Sequence, residues 1–400
     1  MISDRKDNLL KWRKEFPILQ KSTYLISNSL GAMPRSVYRM MHEYADKWAN
    51  RGVLAWEDSW WEMSVTVGNT IAPLIGAKSS EVSMHTNISS LQSMLISCFD
   101  FSGRRNKIVY TDMEFPSVMY VYEKFATAQG ARLKIVSSDD GITVRTQKLL
   151  DAIDEKTLLV PVSHVLFKSG YIQDIEAIIE KAHRCGALVI LDAYHSVGTI
   201  PVDVHTLDVD ILVGGVLKWL CGGPGGAFLW VRPSLLKKLE PKVTGWVAHQ
   251  QPFAFETTMK YRGDAFKFLN GTPAIPALYA AQEGPKIISK VGIEKIRAKS
   301  KHQTALLIDK ARSYGFTIFT PSNPEQRAGT VTFNVPHAYQ VSRELLRKNI
   351  MVDYREGGGI RLAPHFYNSD DEIIYAVEQI KKILDTKSYR KHSKHKSNIT

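Results

Sequence analysis

Asp192 and Lys218 are the residues whose type and setting first suggest chemistry. Asp192 directly follows the apolar run 188–191 (LVIL), so it stands at the carboxyl end of a buried strand, where open α/β sheets bind ligands. A carboxylate there is costly to bury without a cationic partner. Lys218 follows a second buried run at 211–213 and precedes the turn 222–226 (GGPGG), whose glycines let backbone approach a ligand closely. An acid and an amine at two successive strand ends suggest one shared site. Two further features suit an anionic ligand. HTNISSLQSML sets Asn87, Ile88, Ser89 and Ser90 ahead of the apolar face Leu91, Met94 and Leu95, with amides and hydroxyls at the positive end of a helix. A plain N-cap at Ser89 would also explain that pattern. Arg361, in GGGIRLAPHFYN, carries a guanidinium suited to clamp a carboxylate, though it could also be an exposed strand arginine.

The elements that must position these groups can be read from periodicity. From about residue 24 to 255, short apolar runs alternate with amphipathic segments, as in helices packed on a mostly parallel sheet. Residues 158–162 (LLVPV) read as a strand. Ile172, Ile175, Ile178, Ile179 and Ala182 share one helical face, and 188–191 resume the strand pattern, which implies a right-handed crossover. Residues 211–213 and 227–231 read as further buried strands. A helix-like stretch over 275–313 leads to a smaller α+β unit, with strands at 330–335 and 359–363 and helices at 342–348 and 370–384.

Composition bounds the function. The chain has 400 residues, 44% hydrophobic and 23% charged, which excludes a disordered or fibrous protein and leaves room for a large domain and a smaller one. Three cysteines, at 98, 185 and 221, give neither a disulfide framework nor a paired zinc spacing, so no metal is expected and a cytoplasmic location is the default. The first sixteen residues lack the apolar core of a signal peptide, and no apolar run approaches the ~20 residues that span a bilayer. The net charge of +12 is compatible with nucleic acid, an acidic membrane surface or an anionic ligand. Five of these charges belong to Lys387, Arg390, Lys391, Lys394 and Lys396, in a segment without acids. A basic nucleic-acid-binding protein is a distant alternative; no zinc finger, RNA-recognition signature or aromatic-interleaved basic stripe supports it.

The motifs together resemble the fold-type I pyridoxal phosphate enzymes of the class V aminotransferase group, and within it the kynureninases. The pattern of an Asp, a His three residues on, and a lysine before a Gly-Pro-Gly turn is present as Asp192, His195, Lys218 and GGPGG. YLISNSLGAMP, WANRGVLAWEDSWW, EFPSVMY, GW at 245–246, NGTP at 270–273 and IRLAPHFYNSDDEI extend the resemblance over most of the chain. It implies a large domain with a mostly parallel seven-stranded sheet between helices, plus a small α+β C-terminal domain. The divisions would be an arm (1–20), a large pyridoxal phosphate-binding domain (21–270), a linking helix with the small domain (271–386), and a basic flexible tail (387–400). By the same resemblance Lys218 forms a Schiff base with the cofactor and moves protons, and Asp192 keeps the pyridine nitrogen protonated. His195 packs beside the cofactor, although a structural buried histidine is an equal reading. Asn87, Ile88 and Ser89 hold the phosphate, Phe115 stacks on the ring, and Trp246 and Thr272 reach the phosphate region, Thr272 across a homodimer interface. Arg361, Asn28 and Trp60 fall at substrate-binding positions. Trp56, Trp60 and Trp61 could equally pack the domain junction.

Two departures bear on the reaction. Leu217 stands where kynureninases usually have tyrosine, and LFKSG at 166–170 replaces the family's Arg-Thr-Gly, with Lys168 and Ser169 as the nearest matches. A leucine neither binds phosphate nor relays a proton, which weakens the case for hydrolytic carbon–carbon cleavage. The branches that follow are a kynureninase-like hydrolase, a class V aminotransferase, and a cysteine desulfurase or C–S lyase-like enzyme, each acting on a small amino acid.

Overall fold

The computed structural model describes residues 7–392. Its largest element is a seven-stranded sheet in the order Val82–His85, Ala227–Val231, Ile211–Gly215, Leu188–Asp192, Thr157–Ser163, Lys107–Thr111, Arg132–Val136. Ala227–Val231 runs antiparallel to both neighbours; the other pairings are parallel. The central strands are apolar along their whole length because both faces are covered. Side chains alternate between the faces. Val160, Val162, Val189, Leu191, Leu212 and Phe228 enter one core, whereas Leu159, Ile190, Ile211, Val213 and Leu229 enter the other.

The crossover expected between residues 158 and 191 is present. Asp174 caps the helix Ile175–Arg184 by accepting the Ala177 amide at 3.2 Å, and Ile175, Ile178, Ile179 and Ala182 are buried beneath it. Ile172 lies outside that helix, in a bridge to Val165. The stretch 275–313 is three helices, Ile275–Ala281, Glu283–Val291 and Ile293–Ser313, the last two broken apart at Gly292 with φ +90°. Glycine adopts that backbone conformation without the strain a side chain would bring.

A four-stranded antiparallel sheet follows, in the order Asp353–Arg355, Gly359–Leu362, Val331–Asn334, Thr317–Ile318. It shares a third core with the helices Ile293–Ser313, Ala338–Arg347 and Asp370–Asp385. The last helix starts with a capping box in which Ser369 and Glu372 satisfy each other's backbone amides. Thr23–Tyr24 pairs in parallel with Ile350–Met351, so the amino-terminal segment is stitched to the carboxyl-terminal unit. The basic segment expected to be flexible from residue 387 is ordered in its first part: Ser388–Lys391 form a 3-10 turn, Tyr389 stacks on His337, and His392 meets Glu344 at 2.8 Å. Residues 393–400, with Lys394 and Lys396, lie outside the described residues.

Candidate active site

The site lies at the carboxyl ends of the central parallel strands. Asp192 ends one strand and Ser163 ends its neighbour, and the two are paired in register. The Asp192 carbonyl accepts the His164 amide at 2.9 Å, and its Oδ1 accepts the Tyr194 amide at 2.9 Å. Burial pushes the Asp192 carboxyl up to about 6, against the opposing effects of that amide and of Lys218. Lys218 sits in the turn after Ile211–Gly215. That turn is tied by Val216 N–H to Gly226 O (3.0 Å), Gly222 N–H to Val216 O (2.7 Å) and Cys221 N–H to Lys218 O (3.0 Å).

The lysine Nζ lies 2.7 Å from His195 Nε2 and sits over two rings, 4.5 Å from the Tyr194 centroid and 5.4 Å from that of Phe115. Burial, helped by the Arg361 charge, pulls its pKa down to about 7. His195 is held well below its ordinary value by burial and by Lys218. The amine is thus available in neutral form near neutral pH, as a nucleophile requires.

A cavity of about 280 Å³ gathers Asn87, Ile88, Ser89, Phe115, Asp192, His195 and Lys218 on one lining, together with Ser163, Phe167, Tyr194, Leu217 and Gly225. The helix Ile88–Ile96 opens on it. Asn87, rather than Ser89, is the N-cap: its Oδ1 accepts the Ser90 amide at 2.9 Å. The first-turn amides of Ile88 and Ser89 have no carbonyl within the helix to bond, which suits an anion.

Five expected site residues lie off this lining. Thr272 lines a neighbouring cavity of about 490 Å³ that shares Thr86 and Gly225 with the first. Trp246 is 41% exposed and packs against Trp61, Phe253 and Phe255. Trp60 is buried against Tyr44, with its indole N–H 3.2 Å from Tyr279 Oη, and Trp56 packs edge-on against it. Asn28 is buried with neither amide atom partnered among the described residues. Arg361 is 2% exposed, paired with Asp353 and donating to the Phe167 carbonyl. The exposed-arginine alternative does not describe it.

The family model for aminotransferase class-V matches residues 23–364. The chain belongs to the class V aminotransferase family. Among curated relatives, a kynureninase of Pseudomonas fluorescens is 32% identical, covering 96% of this chain and 95% of its own. An uncharacterised aminotransferase, YcbU, of Bacillus subtilis is 33% identical, covering 92% of this chain and 96% of its own. An apo cysteine desulfurase from Thermococcus onnurineus shares the fold, with a TM-score of 0.84, 24% identity, and coverage of 94% and 98% of the two chains.

This class V enzyme uses pyridoxal phosphate, and the donor set fits that group. The lining offers an amine of lowered pKa for an aldehyde, an acid for a pyridine nitrogen, two rings for its faces, and a capped helix start for a phosphate. Several participants were not singled out from the sequence. Tyr194 and Ser163 sit beside strand ends, so the strand-end rule that found Asp192 could have found both. Glu114, inside the EFPS motif, is 1% exposed and accepts from the Ser163 amide (2.9 Å), the Ser163 hydroxyl and the Thr111 hydroxyl (2.9 Å). Nothing in the local sequence marks it as buried. No group of three metal-ligating side chains occurs among the described residues, and none of their helices is long and apolar enough to cross a membrane.

Proposed function

We propose that this enzyme acts on a small α-amino acid through Lys218, most specifically by kynureninase-like hydrolytic cleavage of a carbon–carbon bond. The observation that carries the reading is the meeting of Lys218, Asp192 and the Asn87-capped helix on one cavity. Bound pyridoxal phosphate supplies an electron-accepting ring that stabilises a carbanion at the amino acid's α-carbon. Lys218 Nζ, its pKa lowered to about 7 by burial, is the covalent anchor and then the base that takes the α-proton. His195 Nε2, at 2.7 Å, holds that amine in place. Burial raises the Asp192 carboxyl, and a protonated ring nitrogen beside it would restore its charge. Phe115 and Tyr194 wall the amine and limit water around it. Arg361 is the carboxylate clamp.

A second reading rests on Leu217, which lines the cavity and has no hydroxyl. The hydrolytic route must protonate a carbanion after the acyl group leaves, a task leucine cannot relay. This favours an aminotransferase or a C–S lyase. Incubation with L-kynurenine, L-alanine and L-cysteine separates the branches: anthranilate plus alanine, a keto acid, or sulfide. Keto acid or sulfide without anthranilate would overturn the hydrolase version. The Lys218→Ala variant should lose both the absorbance of the lysine–cofactor linkage and turnover, and a variant that keeps either removes the lysine from its role. The reading also carries a homodimer with Thr272 contributed across the interface, and a cytoplasmic location consistent with three free cysteines.

A further inference from the structure

We propose that Asp353 is the positioning residue of the carboxylate clamp: it holds the Arg361 guanidinium so that one edge is left for the substrate carboxylate. This rests on the amino-acid reading above. Asp353 and Arg361 stand directly opposite each other on antiparallel strands, where paired side chains share a face. Their register is set by the intervening hairpin. Gly357 and Gly359 have φ +71° and +94°, and a Cβ on Gly359 would lie 2.5 Å from the Phe333 carbonyl oxygen. A slip of one residue would turn Arg361 to the other face.

The donor inventory shows which edge is spare. A guanidinium has five N–H groups in a rigid fork. One on Nη1 goes to the Phe167 carbonyl and one on Nη2 to Asp353 Oδ2. Nε is buried and has no partner among the described residues. A buried donor left unpaired is costly, so this edge lacks an acceptor, and a carboxylate spanning Nε and Nη would supply one. The clamp is coupled to the cavity through Phe167, which lines it and packs edge-on against Phe115 at 5.2 Å. Asp353 also meets Arg355 through its other oxygen, Oδ1, at 3.0 Å. Two arginines on one aspartate leave a single positive charge in the trio, which an incoming carboxylate would balance.

The test compares L-alanine with L-alaninamide, which lacks the carboxylate, on holoenzyme, following the change in cofactor absorbance on binding. L-Alanine is a product of the hydrolytic branch and a substrate of the transaminase branch. Asp353→Asn should weaken L-alanine on the order of tenfold or more, as misplacing a binding group does. L-Alaninamide binding and cofactor content should be unchanged, and Asp353→Glu should recover part of the loss. A variant that discriminates as the wild type does, or one that loses acid and amide alike, overturns the role of Asp353. If Asp353→Asn does not fold, Asp353→Glu carries the test: reduced discrimination supports the proposal and unchanged discrimination overturns it. A wild-type enzyme that responds equally to both probes, or to neither, overturns the amino-acid reading itself.

Discussion

Behind Asp192 lies a second buried acid, Glu114, whose carboxyl is raised to about 7, chiefly by burial and also by the Asp192 charge, against the opposing hydrogen bonds from Ser163 and Thr111. Between its ordinary 4.5 and about 7 the folded cofactor-free chain keeps a proton that the unfolded chain has released. Unfolding then releases a proton, so stability falls as pH rises through that window, and the penalty is complete above it. The difference corresponds to roughly 3 kcal/mol. Glu114→Gln keeps an acceptor for the Ser163 amide and removes the titration. The variant should therefore gain on the wild type at pH 8 and not at pH 4.5 in urea midpoints of the cofactor-free chain; parallel pH curves would show that Glu114 does not titrate there. At this scale the sequence disclosed residues through strand ends and motif spacing, as with Asp192 and Lys218. It did not disclose Glu114, because burial of a lone acid is decided by the neighbouring strand that delivers Ser163. The same holds for Asp353, whose importance comes from the residue opposite it.

The elements were more legible than their boundaries and their joints. The strand at 188–192 and the helix at 370–385 follow their apolar periods closely, since both faces or one full stripe must be buried. The stretch 275–313 reads as one helix because it is rich in Ala, Lys and Ile, whereas it is divided at Gln282 and at Gly292, the latter with φ +90°. A joint invisible to periodicity also supports the site. The turn containing Gly31 packs on the lysine loop, with Gly31 N–H bonded to Leu217 O at 2.9 Å. A Cβ there would lie 2.0 Å from Lys218 O and 2.8 Å from Cys221 Cα, both backbone atoms without room to yield cheaply. Gly31→Ala should destabilise the chain by about 1–3 kcal/mol, the usual cost of overpacking, and should lower cofactor occupancy because the lysine loop must move. Thermal unfolding and absorbance titration with pyridoxal phosphate check both effects; full occupancy at an unchanged melting temperature would separate the two turns.

For the molecule as a whole, the amino-terminal segment is part of the structure that holds the two sheets together. Its apolar residues follow no sustained helical or strand period, so the sequence reads as an arm. Phe16 is nonetheless fully buried and packs against Phe366 and Tyr367, with ring centroids 5.8 and 4.8 Å away. Arg13 donates to Glu372 and to the Tyr367 carbonyl, both at 2.7 Å, and the Tyr367 hydroxyl meets Ser27 Oγ at 2.7 Å. These contacts join residues more than 300 positions apart, so they link the amino-terminal segment to the stretch just after Arg361. Loss of Phe16 would leave a cavity at that joint. Phe16→Ala should cost about 3–5 kcal/mol, the range for truncating a buried aromatic ring. If the segment links the two cores, one cooperative urea transition followed by both far-ultraviolet ellipticity and cofactor absorbance will shift as a unit. A cofactor signal that holds its wild-type midpoint while the ellipticity shifts would make the segment a stabiliser of the small sheet alone.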